Sequence, residues 1–225
     1  MKLFKLLIAI ISVSLLVNGC AKDTDHILNL EFKPIDMKSE ITIISEQAIG
    51  EISSELLADD ALAFLYKPKT NQEEFNGGIK IKDRYYDVGQ ISVYQIGNEI
   101  EVKDLFGKKV IKFNGSLGVN YRQAIYILIE DLKPSVLLQV DGHVLEKDID
   151  MDNEQEVVST WGTLANTKIY KNIGNIIMVS DVNESVNAQV VVYRNDSNVF
   201  EIYQRPNEPR YYTLSNQILT EVQKP

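Results

Sequence analysis

Asp148–Glu156 reads DIDMDNEQE, five carboxylates in nine residues that run straight into the apolar Val157-Val158. Like charges at that density repel one another unless water or a cation neutralises them. Numbered from Asp148, the acids fall at positions 1, 3, 5, 7 and 9. Calcium takes about six to eight hard oxygen ligands, and alternating carboxylates on a tightly turning loop bring such oxygens to one point. Position 6 is Asn153, one of the few non-glycine residues that tolerate the left-handed conformation a sharp turn needs. Position 7 of such loops ordinarily contributes its main-chain carbonyl, so Glu154 is expected to ligate through its backbone or not at all. Glu156 closes the site from the first residue of the outgoing strand. Zinc would want His or Cys, which the loop lacks, and magnesium demands a more rigid octahedral geometry. An EF-hand is excluded, because its twelfth position would be Ser159 rather than a bidentate Glu. The competing reading is a solvated acidic turn with no metal.

The segment Asp148-Ile149-Asp150-Met151-Asp152-Asn153-Glu154-Gln155-Glu156-Val157 resembles the calcium loop of FG-GAP or VCBS-type repeats, the modules of integrin-like β-propellers. Their pattern is D-x-[DN]-x-D-G-x-x-D followed by an apolar strand. The resemblance implies that Asp148, Asp150, Asp152 and Glu156 are side-chain ligands and that Glu154 offers its carbonyl. It also implies a calcium that staples the loop between strands and is not catalytic. Asn153 replaces the usual Gly, and Glu156 replaces the usual Asp with one methylene more. Three further stretches resemble lipoproteins of Bacillus-type bacteria: FNGGIKI at Phe75–Ile81, DRYYD at Asp83–Asp87, and Asp148 through Asn183. That likeness bears on class and location and brings no activity with it.

Other chemistry is sparse. The two histidines are His26, near the N-terminus, and His143, just after Asp141-Gly142. A Ser-His-Asp site on His143 would need partners that no pattern specifies. There is no Walker loop, dinucleotide fingerprint, CxxC or HExxH. The fragments NGG and FNGSLG read as turns. Paired Tyr85-Tyr86 and Tyr211-Tyr212 should place one ring on each face of a strand, and Trp161 reads as a local core anchor.

The elements that must position the acidic loop read as strands. Fourteen short segments, from Ile79–Ile81 to Ile218–Val222, are rich in β-branched or aromatic residues and separated by turn formers such as Asn114-Gly115, Asn172 to Gly174 and Asn195 to Asn198. Asp141-Gly142, between SVLLQV and HVLEK, is the best single hairpin signal, because both residues accept the positive φ of a type I′ turn. Gln47–Tyr66 reads as a loop or short helix followed by a strand at Ala61–Tyr66, and Asp181–Asn187 as a short helical turn. The expected class is mainly β, with antiparallel sheets in a propeller-blade-like or sandwich arrangement. At roughly 40 to 50 residues a blade, the chain has room for about four. One echo supports repeated units: Asp59-Asp60-Ala61-Leu62 and Gln155-Glu156-Val157-Val158 both lead an acid directly into a strand.

The N-terminus sets the expected compartment. Lys2 and Lys5 precede the uncharged run Leu6–Val17, shorter than the ~20 residues of a spanning helix. That is the anatomy of an export signal. It ends in Leu16-Val17-Asn18-Gly19-Cys20, which resembles a bacterial lipobox, where the signal is cut before a cysteine that carries a diacylglycerol. Cys20 is the only cysteine, so no disulfide forms within the chain. The expected organisation is a signal peptide at 1–19, a lipid-anchored polar tether at 20–40, and an extracytoplasmic β-rich domain at 41–225, in one unit or two. Removing the signal takes the formal charge from −9 to −11, which argues against nucleic acid as a partner. The sequence therefore reads as a lipoprotein on the outer side of the cell membrane that acts through binding or structure, with a protein or polysaccharide as partner. The alternative is an envelope hydrolase whose active site the sequence does not display.

Overall fold

The computed structural model describes residues 27–35, 40–95, 97 and 99–225. The expected signal segment and Cys20 lie outside these residues. Three short strands come first: β1 (Ile27–Asn29), β2 (Lys33–Pro34) and β3 (Thr42–Ile44). Four up-and-down meanders follow. The first is β4 (Ile49–Ala58), β5 (Ala61–Pro68), β6 (Phe75–Ile81) and β7 (Arg84–Ser92), with β3 added beside β7. The second is β8 (Ile100–Leu105), β9 (Lys108–Gly118), β10 (Tyr121–Glu130) and β11 (Lys133–Asp141). The third is β12 (His143–Lys147), β13 (Glu156–Trp161), β14 (Asn166–Ile173) and β15 (Ile176–Asp181), with β2 on its outer edge. The fourth is β16 (Val190–Arg194), β17 (Val199–Tyr203), β18 (Pro209–Ser215) and β19 (Ile218–Val222), with β1 beside β19. The chain is thus mainly β, in four antiparallel sheets, as its composition and turn spacing lead one to expect. Among the described residues the one α-helical turn, Val182–Ser185, lies inside the stretch read as helical and is capped by Asp181, whose side chain accepts from the Glu184 N–H. Among the described residues no helix is long and apolar enough to cross a membrane.

The sheets pack face to face in chain order. Ala63, Leu65 and Ile79 of the first sheet meet Ile111, Phe113, Ile125 and Ile127 of the second. The opposite face of the second sheet, with Val110, Tyr126 and Leu138, packs on Val157 and Tyr170 of the third. Val158 and Ile169, the next residues on the same strands, face the fourth sheet at Val191, Phe200 and Tyr212. Successive side chains on a strand point to opposite faces, so the two central sheets are buried on both. This is why Ala124–Leu128 is apolar and buried without interruption instead of alternating. Each tyrosine pair divides as expected: Tyr86 and Tyr212 enter cores, whereas Tyr85 packs on the outer face of the first sheet.

Several expectations are corrected. Residues 27–35, expected in the tether, belong to the fold: β1 pairs with β19, β2 pairs with β15, and Leu30 is buried between the third and fourth sheets. Within Gln47–Tyr66 the expected strand at Ala61–Tyr66 is present in β5, but the segment before it is, after one 3₁₀ turn at Glu46–Ala48, the strand β4, which pairs with β5 across Asp59-Asp60. Asp141-Gly142 does not close a hairpin. β11 pairs with β10 and β12 with β13, so this dipeptide carries the chain from the second sheet to the third. A side chain on Gly142 (φ +101°) would come within 2.7 Å of the Thr160 carbonyl oxygen. A two-residue turn signal reads the same whether its flanking strands pair or part. Of the glycines in NGG and FNGSLG, Gly77, Gly78 and Gly115 are strand interiors needed for close approach, whereas Gly118 ends β9 with its nearest neighbour 3.9 Å away. A Cβ on Gly78 would lie 2.3 Å from the Phe64 ring, and one on Gly115 only 1.7 Å from the Ile91 carbonyl oxygen.

The echo between Asp59-Asp60 and Gln155-Glu156 has a structural counterpart. Both lead into the second strand of a meander, β5 in the first sheet and β13 in the third.

Candidate functional site

Glu156 opens β13 and pairs in register with Lys147 at the end of β12, so Asp148–Gln155 is the loop of that hairpin. Two residues turn it through positive φ. Asn153 (φ +70°) takes the left-handed role expected of it, and Met151 (φ +64°) shares that role without a sequence signal. Asp148 folds the loop back on itself: its two oxygens accept from the backbone N–H groups of Asp152 (3.2 Å) and Asn153 (3.0 Å). Asp152 accepts from the Glu154 N–H at 2.8 Å. Ile149 anchors the loop in the core between the third and fourth sheets. Its N–H donates to Glu156 Oε2 at 3.0 Å, and its carbonyl accepts from the Asn198 side chain at 3.3 Å. Asn198 lies between β16 and β17, so the loop ties the third sheet to the fourth.

This arrangement brings together Asp148, Asp150 and Glu156. One oxygen from each lies within 4.8 Å of the others, the span of two ligands held at about 2.4 Å on opposite sides of one calcium. Asp150 and Glu156 are buried, at 8% and 0% exposure. Asp150 Oδ1 accepts no hydrogen bond, and a buried unmatched carboxylate oxygen is costly. Glu154 is exposed, and only its backbone N–H is tied into the loop.

Asp152 joins the cluster through a residue that motif reading misses. Lys171, on β14, places its Nζ 2.5 Å from Asp150 Oδ2, 2.6 Å from Asp152 Oδ2 and 3.2 Å from Glu156 Oε1. It is buried. Its only sequence signal is a charge two residues after Ile169, on the strand face that enters the core. Burial, reinforced by the negative charge of Asp150, raises the Glu156 carboxyl to about 7 against the opposing pull of the Ile149 N–H and Lys171. Asp152 is lowered, chiefly by its hydrogen bond to Lys171. Burial works to depress the Lys171 ammonium, but its bonds to Asp150, Asp152 and Glu156 win, and it is held above its ordinary value. Three carboxylates around one ammonium, with Asp148 beside them, leave a net negative, hard-oxygen site. Its chemistry is that of holding a cation.

A second buried ionic cluster ties the second sheet to the third. Lys112 Nζ lies 2.6 Å from Glu146 Oε1 and 3.2 Å from Glu101 Oε1. The Tyr126 hydroxyl donates to the same Glu146 oxygen at 2.6 Å, and Lys103 reaches Glu146 Oε2 at 3.2 Å. Burial opposes the Glu146 charge, yet the bonds from Lys112 and Tyr126 outweigh it and lower its carboxyl to about 2. All members are partnered, so this cluster fixes the packing of two sheets.

His143 is exposed on the edge strand β12, at a groove of about 610 Å³ that it lines with Val144, Thr160, Trp161, Tyr193 and Asn195. Among the described residues that line this groove there is no carboxylate. Trp161 is half-buried beside Gly162, with the Lys168 ammonium 4.8 Å from its ring centroid. None of the loop's acids lines the groove, and Asp150 and Glu156 are buried within the fold. No protein-family model, no curated protein and no solved structure matches this chain.

Proposed function

We propose that the chain is a lipid-anchored extracytoplasmic β-protein of binding or structural type, in which the Asp148–Glu156 loop takes calcium as a structural staple. The observation that carries the metal reading is the buried Asp150, whose Oδ1 has no hydrogen-bond partner, converging with Asp148 and Glu156 in an all-oxygen donor set. Asp148, Asp150, Asp152 and Glu156 would hold the ion with their side chains, and Glu154 with its carbonyl. When bound, calcium supplies the positive charge that one ammonium cannot. The chain's own residues do the rest: Ile149 seats the loop in the core, and Asp148 holds the turn closed. Because the loop joins the third and fourth sheets, the cation would stiffen the half of the molecule that also contains β1 and β2. In this reading the partner is an envelope protein or polysaccharide. The mature net charge of −11 disfavours nucleic acid.

Thermal melts of the full chain in detergent test the metal. One millimolar calcium should raise the midpoint by several degrees, and chelator should reverse the shift. Asp148→Ala should abolish most of that calcium-dependent increment whatever it does to the baseline. A midpoint that ignores calcium would remove the metal from this reading.

The anchor has its own test, by fractionation of expressing bacteria. The wild type should sediment with membranes and partition into detergent, and Cys20→Ser should appear in the soluble extracytoplasmic fraction. Equal partitioning of the two proteins would remove Cys20 as an anchor.

A further inference from the structure

We propose that Lys171 is a tethered competitor for the cation: its ammonium holds the acidic loop together in the metal-free protein and must withdraw from Asp150 and Asp152 when a divalent cation binds. This rests on the reading of the loop as a calcium site.

The geometry places the ammonium where the metal would sit. Of the four expected side-chain ligands, Lys171 touches three, at 2.5, 2.6 and 3.2 Å. The fourth, Asp148, also accepts from the backbone N–H groups of Asp152 and Asn153, bonds that hold the loop closed without an ion while each oxygen keeps a lone pair for one. A calcium at about 2.4 Å from the same oxygens would sit within a few ångströms of the ammonium. Two cations that close in a buried site repel strongly. Sharing is excluded on charge, so one must leave, and lysine has a flexible four-carbon stem on which to do so.

The ammonium is also an incomplete substitute. Its bonds engage Asp150 through Oδ2 and leave Oδ1 without a partner, and it meets Glu156 Oε1 only at the longer distance of 3.2 Å. Lysine has three donors to spread over the acids, whereas calcium accepts about six to eight oxygens. The site therefore has reason to exchange its resident cation for a divalent one.

Two consequences follow. The loop remains built without metal, so calcium tunes its rigidity and does not switch it between order and disorder. Apparent affinity is set by competition, and weaker than the ligand set alone would give.

Isothermal titration of calcium into the full chain tests this, comparing the wild type with Lys171→Met and Lys147→Met. Lys147 pairs in register with Glu156, but its Nζ donates to Asn195 and not to the acids, so it controls for simple loss of nearby charge. Lys171→Met should bind calcium about ten- to hundredfold more tightly, the worth of releasing charge-assisted hydrogen bonds. Lys147→Met should change affinity by less than about threefold. In the wild type, reductive methylation of Lys171, followed by mass spectrometry, should be slow without calcium and accelerate as the site fills. This last measurement needs no variant and stands if Lys171→Met fails to fold.

Equal tightening in the two variants, or Lys171 methylation indifferent to calcium that does bind, would overturn the competitor role and leave the calcium site standing. Binding by Lys171→Met but not by the wild type would uphold Lys171 as the occupant and overturn calcium as the natural ligand. No binding by either protein would overturn both.

Discussion

Gly115→Ala is expected to cost at least about 4 kcal/mol, in the range reserved for gross steric conflict and a large part of the roughly 5–15 kcal/mol that holds a typical domain. Gly115 lies in β9 where the second sheet meets the first. A Cβ there would sit 1.7 Å from the Ile91 carbonyl oxygen and 2.5 Å from its carbon. The obstacle is backbone. It cannot rotate aside, and Val93, the residue after β7, donates its N–H to the Ser116 carbonyl of β9 at 2.9 Å. Relief would require the sheets to separate over the core of Phe113, Ile125 and Ile127. Gly78→Ala is the informative comparison, because its neighbour is the Phe64 ring at 2.3 Å, a side chain that can shift; a cost of about 1–3 kcal/mol is expected there. Gly118→Ala, whose nearest neighbour is 3.9 Å away, should be close to neutral. Urea denaturation followed by circular dichroism ranks the three, and a Gly115→Ala protein as stable as Gly118→Ala would mean that the two sheets do not approach as described.

Lys112→Met should be the next most damaging change, at about 3–5 kcal/mol, the cost of stripping a partner from a buried ion pair. It would leave Glu146 buried with Tyr126 and the more exposed Lys103 as its only support. The double variant Lys112→Met with Glu146→Gln should recover much of the loss, since no unpaired charge then remains. The same cluster sets an acid dependence. The native Glu146 carboxyl is lowered to about 2, below an unfolded value of about 4.3. A group depressed in the folded state stabilises above its unfolded value, and that contribution is lost as pH falls through the folded one. Stability of the wild type should therefore drain away between about pH 4.3 and pH 2, by up to about 3 kcal/mol from this residue. The double variant should show a shallower slope over that window. An unchanged slope would assign the acid sensitivity to other carboxylates.

Fold class was legible because it rests on local chemistry. Short β-branched and aromatic runs at regular spacing, with turn formers between them, read as antiparallel strands, whereas the blade-length arithmetic set only an upper bound of about four units and left strand order and unit count open. The reading failed wherever a residue's role depends on a distant chain. Gly77, Gly78 and Gly115 carry the composition of turns but serve as gaps for Ile91 and Phe64. Asp141-Gly142 carries the chemistry of a hairpin but joins two sheets. Conversely, Asp131 and Leu132 turn β10 into β11 with φ of +51° and +59°, although leucine gives no turn signal. Residues 27–35 read as a polar tether because three-residue strands are too short for periodicity to show, and they acquire their structure only from the exposed edges of the third and fourth sheets.

The acidic loop divides along the same line. Its amino-acid order alone determined the spacing of Asp148, Asp150, Asp152 and Glu156, the turn at Asn153, and the onset of a strand at Glu156, since all three depend on neighbours within a few bonds. Only the tertiary structure decided what those carboxylates face. The pairing of β13 with β14 swings Lys171, fifteen residues beyond Glu156, into their midst. The packing of the third sheet on the fourth buries Asp150 and Glu156 and leaves Asp150 Oδ1 unmatched. Spacing along a chain sets which oxygens can converge. Burial and a cation from another strand set what they hold.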